Sequence, residues 1–100
     1  MPAVLTTVGF DRWLKRLRDQ RGRAAILARI DRLAEGNPGD IRWVGEGVTE
    51  MRVDFGPGYR VYYMKRGAAY VLLHAGDKGS QRNDIRKTQQ LASELDDDEG

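Results

Sequence analysis

At Asp40 the spacing of apolar residues changes from that of a helix to that of a strand, and this switch constrains the fold more than any other feature. Before it, Phe10, Trp13, Leu14 and Leu17 fall at i, i+3, i+4 and i+7, with Arg12, Lys15, Arg16 and Arg18 on the other side. Gly22 interrupts this amphipathic helix. Ile26, Ile30 and Leu33, reinforced by Ala25, Leu27 and Ala34, resume the spacing until EGNPGD closes a second helix with Gly36 as its C-cap. After Asp40 the period is two. IRWV, VTEMRVDF, YRVYYM and AAYVLLHA read as strands separated by Gly-Glu-Gly, Gly-Pro-Gly and Arg-Gly, which suit tight reversals. Such short links predict an antiparallel meander, and the nearly all-apolar AYVLLHA predicts an inner strand covered on both faces.

The flanks complete the pattern. Ala3 to Thr7 is short, apolar and β-branched, as for a first strand. Ser80 stands at an N-cap position, and Ile85, Leu91, Ala92 and Leu95 place one apolar stripe on a last helix. The expected fold is α+β: an N-terminal helical hairpin on one face of a twisted antiparallel sheet of four to five strands, followed by a C-terminal helix. One hundred residues with 40% apolar content support one domain. It is expected over residues 1–95, with an acidic, disordered tail over 96–100.

Composition narrows the chemistry. Without cysteine there is no disulfide framework or thiolate nucleophile, and with His74 as the single histidine a zinc site is not expected; no metal or other cofactor is anticipated. No signal-like N-terminus occurs, and no run of about 18 apolar residues, so a cytoplasmic location without membrane contact is expected. The net charge of +2 conceals an asymmetry: Glu94, Asp96, Asp97, Asp98 and Glu99 crowd the end, leaving 17 basic against 10 acidic side chains on residues 1–93. Such a body is drawn to polyanions.

Strand alternation determines which side chains share a surface. Met51, Val53 and Phe55 go with Tyr59, Val61 and Tyr63 on an apolar face. If that face meets the helices, Arg52, Arg60 and Tyr62 converge on the opposite, free face, with Lys78 beside Gly76 just before a helix N-terminus. Two guanidiniums, an ammonium, a phenol and a helix start suit a phosphodiester. Arg52 and Arg60 have an alternative role as strand-face ion-pair partners of Glu50 and Asp54. Packing equally explains Tyr59 and Tyr63, and a satisfied, buried imidazole explains His74. GDKGS lacks the spacer and second glycine of a phosphate-binding P-loop.

ARIDRLAEGNPGD, GVTEMRVDFGPGYRVYY and GDKGSQRNDI, taken with this spacing, resemble the addiction-module killer proteins, HigB-like members of the RelE/ParE toxin superfamily. The resemblance spans Phe10 to about Leu95. It implies a RelE-like fold, a cognate antitoxin of the helix-turn-helix kind, and contact with DNA only through the antitoxin complex. Many relatives cut mRNA on the ribosome without a metal, by attack of a ribose 2′-OH on the adjacent phosphate. By resemblance, Arg60 would stabilise the phosphorane, with Lys78 and Arg52 as further cations and Tyr62 or Lys78 as a proton carrier. Lys65, Arg82, Tyr63 and Gln81 would touch RNA. The sequence departs from several ribosome-dependent relatives in having no aromatic residue near its C-terminus, so the general base is unassigned. ParE-like members of the superfamily instead bind DNA gyrase, and a degenerate relative would bind only its antitoxin.

Overall fold

The computed structural model describes residues 3–99, with side chains up to residue 95. The elements run β1 (Val4–Thr6), α1 (Val8–Arg16), α2 (Gln20–Ala34), β2 (Ile41–Trp43), β3 (Val48–Val53), β4 (Tyr59–Arg66), β5 (Ala69–Gly76), a 3-10 turn (Lys78–Ser80) and α3 (Gln81–Glu99). The strands form one five-stranded sheet in the order β1-β5-β4-β3-β2. β2 to β5 are the antiparallel meander that their short glycine turns predict, and β5 is an inner strand. The sheet is nevertheless mixed, because β1 lies parallel to β5 on its outer side. That pairing is long-range and leaves no local trace in the sequence.

Thr7 launches α1 and anchors it. Its Oγ1 accepts from the Phe10 amide at 3.0 Å and donates to the Leu73 carbonyl at 2.8 Å, tying the helix start to β5. The hairpin break lies at Leu17–Asp19 and not at Gly22. Asp19 caps α2 by accepting from the Gly22 amide at 2.9 Å, while the Arg23 guanidinium takes the Leu14 and Leu17 carbonyls, each at 2.8 Å. Gly22 is required for packing: a Cβ there would lie 2.5 Å from the Tyr59 ring. Gly36 does end α2, at φ +89°, with the amides of Gly36 and Asn37 bonded back to Leu33 and Arg32.

α1 and α2 cover one face of the sheet, where Phe10, Ile26 and Leu33 pack on Met51, Val53, Tyr59, Val61, Tyr63 and Leu72. α3 covers the other, seating Ala92 on Val48, Tyr62, Met64, Val71 and Leu73. Burying each large side chain contributes about 1.5–3 kcal/mol, so both layers are substantial. The second face is therefore not free. In β5 the register slips opposite Tyr62 and Tyr63, so that consecutive residues Leu73 and His74 both turn toward α3. α3 continues to Glu99; the side chains of the acidic end and Gly100, where disorder is expected, lie outside the described residues.

Candidate functional site

Antiparallel pairing sets Arg52 of β3 directly opposite Arg60 of β4. Like charges so placed repel, and the arrangement persists because a carboxylate stands between them. Glu50, fully buried, lies 3.7 Å from Arg52 Nε, 3.9 Å from Arg60 Nε and 3.6 Å from Arg42 Nη2. Gln81 donates to its Oε2 at 2.9 Å. Arg52 also lies 3.9 Å from Asp40 Oδ1. The ion-pair role considered for the two arginines is thus real for Glu50, whereas Asp54 is exposed with no ion pair among the described residues.

Ion pairing does not consume the guanidiniums. Both Nε atoms are buried and lack a hydrogen bond, since these separations exceed hydrogen-bond length. Arg52 keeps 38% of its side chain exposed and Arg60 12%, and the Arg60 Nη1 contact to the Gly58 carbonyl is a long 3.3 Å. Their outer ends line a cleft of about 370 Å³ together with Lys78, Asp40, Asp54 and the Gly56-Pro57-Gly58 turn. Gly58 forms the turn beside Lys78 and Arg60, and its φ of +80° is the backbone conformation that calls for glycine there. Three of the four expected catalytic residues, Arg52, Arg60 and Lys78, are therefore brought together.

Tyr62 is not among them. It is fully buried beneath α3, and its hydroxyl lacks a hydrogen bond. Burial, and then the Glu50 charge, push its phenol well above the ordinary tyrosine range, the opposite of what a base needs. The helix start differs from expectation too. A 3-10 turn precedes α3, and its cap is Asp77, which occupies the Gly79 and Ser80 amides at 2.8 and 3.2 Å, while Ser80, immediately before α3, turns its hydroxyl to the Asp84 carboxylate. Those amides are not available to an anion.

The residues expected to touch RNA scatter. Tyr63 is in the α1/α2 core, edge-on to Tyr70 with centroids 5.5 Å apart, as the packing reading holds. Lys65 lies over the Tyr70 ring at 5.9 Å, five residues along β4 from Arg60 and so roughly 17 Å away. Gln81 is engaged by Glu50, and Arg82 is exposed on the first turn of α3, off the cleft wall. His74 is satisfied: Nε2 meets Asp84 Oδ1 at 2.9 Å, and Ser80 Oγ donates to the other carboxylate oxygen at 2.5 Å. Among the described residues no group of three or more His, Asp or Glu side chains could hold a metal.

Two residues are more central than sequence reasoning makes them. Glu50 organises three arginines, and its signal is the Glu-x-Arg alternation of β3 facing Arg60 across a tight turn. Asp84 joins His74 to Ser80, and its signal is the Ser80–Asp84 spacing of one helical turn.

The model of a family described as Phage derived protein Gp49-like (DUF891) matches residues 12–95, most of the chain and all of the site. The chain belongs to the Gp49-like family. This is a family of RelE/HigB-type toxins. An uncharacterized protein of Haemophilus influenzae is 47% identical over 93 residues, covering 92% of this chain and 94% of its own. Among solved structures, the conserved hypothetical protein HP0894 from Helicobacter pylori superposes with a TM-score of 0.55 at 16% identity. It covers 79% of this chain and 97% of that one, a likeness of fold. The helical hairpin, the sheet and the C-terminal helix thus form a toxin-family scaffold, and membership implies an antitoxin partner.

Proposed function

We propose that this Gp49-like protein is the toxin of a type II toxin–antitoxin pair and a HigB-like, metal-independent endoribonuclease that cuts mRNA on the ribosome. The observation that carries the reading is the opposition of Arg52 and Arg60 around buried Glu50, with Lys78 on the same cleft. In the reaction a ribose 2′-OH loses its proton and attacks the adjacent phosphorus, and the P–O5′ bond breaks, leaving a 2′,3′-cyclic phosphate and a free 5′-hydroxyl. Charge gathers on the non-bridging oxygens, where Arg60 and Arg52 offer fixed donors. Glu50 holds the guanidiniums before substrate arrives, which spares the cost of ordering them. Lys78, on the same cleft, supplies a proton to the departing 5′-oxygen. Asp40 and Asp54, the carboxylates on the cleft wall, are the groups able to take the 2′-OH proton.

The reading places the protein in the cytoplasm with mRNA, the ribosome and an antitoxin as partners; no helix of the described residues is long and apolar enough to cross a membrane. Expression without antitoxin should arrest growth and generate mRNA ends only within translated regions, and Arg60→Ala should abolish both. Growth arrest with intact mRNA and trapped gyrase–DNA complexes would contradict it.

A further inference from the structure

A second cleft opens between α1 and α3, where they flank the β5 side of the sheet, and it shares no residue with the arginine cleft. It holds about 540 Å³. Leu17, Leu73 and Leu91 form an apolar floor with Trp13 at one side. Arg12, Arg16 and Arg18 from the α1 end and Lys87 from α3 form an exposed rim. Among the described residues none of these four has a carboxylate within 4.0 Å. Of the other hairpin arginines, Arg23 holds α1 carbonyls and Arg29 those of Pro38 and Arg52, while the exposed Arg21 and Arg32 on α2 lie outside this cleft.

Four unpaired cations around an apolar floor are complementary to a segment bearing carboxylates beside an apolar stripe. A nucleic-acid strand would satisfy the rim and waste the floor. It would also find no stacking platform, because the half-buried Trp13 ring is already edge-on to Tyr59 at 6.0 Å. Arg12 and Arg16 are one turn apart on α1, and Lys87 and Leu91 one turn apart on α3. A helix presents its own side chains at the same i, i+4 spacing as either ladder. We propose that the α1–α3 cleft is a docking site for an acidic amphipathic helix of a partner protein, its apolar side chains seated between Trp13 and Leu91 and its carboxylates against the rim. The proposal extends beyond RNA cleavage and does not depend on it.

The test uses the full chain with Trp43→Phe, a replacement at a 71% exposed position that leaves Trp13 as the sole tryptophan reporter. A helix-forming peptide of about 16 residues, leucines at i, i+4 and glutamates elsewhere, is titrated in. It should shift Trp13 emission saturably to shorter wavelength, whereas the same peptide with lysines should not. Arg16→Glu combined with Lys87→Glu should weaken binding about tenfold or more, and Arg60→Ala should leave it unchanged. No Trp13 response to the glutamate peptide, equal binding by the double variant, or a response only to an oligouridylate would each overturn the proposal.

Discussion

The two faces of the sheet are built on opposite principles. Under α1 and α2 the buried side chains are apolar or aromatic, and the polar contacts are few: the Tyr59 hydroxyl donates to Asp19 at 2.7 Å, and Arg23 and Arg29 hold backbone carbonyls. Under α3 a polar row crosses the sheet from Arg42 through Glu50 and Tyr62 to His74, then up to Asp84 on the helix. The first face secures the fold; the second positions charge. Buried polar groups with imperfect partners are costly, and here they concentrate beside the cleft where their fixed orientation is useful.

Changes on the α3 face should bring the largest losses. A Cβ at Gly76 would stand 1.9 Å from Asp84 Oδ2 and 2.8 Å from Ser80 Oγ. Gly76→Ala should therefore cost about 3 kcal/mol or more in denaturant unfolding, by driving Asp84 off His74. Glu50→Gln should cost about 2 kcal/mol, less than a fully enclosed pair because Arg42 and Arg52 can turn toward water. On the proposed endoribonuclease reading it should also lower RNA cleavage, since Arg52 and Arg60 lose their common anchor.

The sharpest contrast comes from one substitution made on each face. Tyr59→Phe removes a made hydrogen bond and should cost about 1 kcal/mol. Tyr62→Phe removes a buried hydroxyl that lies against the Glu50 carboxylate without meeting hydrogen-bond geometry, so the loss should be the smaller of the two, within about 0.5 kcal/mol. Equal losses would erase the distinction between the faces.

Much of this was legible in the residues and some was not, for reasons that can be named. The meander, the inner strand β5 and the Gly36 stop follow from local period and turn chemistry. Gly22 misleads because a glycine kept for close approach to Tyr59 looks like one kept for a break. Arg52 and Arg60 could be grouped from strand alternation, and Lys78 joined to them from its place just after β5 and before the last helix. Tyr62 shares their alternation but not their exposure, because burial depends on where α3 lands. Its apolar stripe is readable while its docking face is not. Glu50 is a partner in the sequence and becomes an anchor only once three arginines converge on it.

The Tyr59–Asp19 contact on the hairpin face also predicts an effect at alkaline pH. Burial, and then the bond to Asp19, hold the Tyr59 phenol up to about 12 against an ordinary 10.0. The unfolded chain releases this proton first, so stability should fall as pH rises from about 10 to 12, and less steeply in Tyr59→Phe. Asp19 shifts the other way. The Tyr59 bond, then the Gly22 amide, lower its carboxyl below 3.8, a contribution present above that pH and lost as pH falls through the folded value.

The most direct test of the arginine cleft as a phosphate site is the salt dependence of binding to a short RNA made uncleavable by 2′-O-methylation. With three cations on single-stranded phosphates the slope of log affinity against log salt should be near −2, losing about 0.7 for each of Arg52→Ala, Arg60→Ala and Lys78→Ala. A slope that stays the same in all three variants would contradict the assignment.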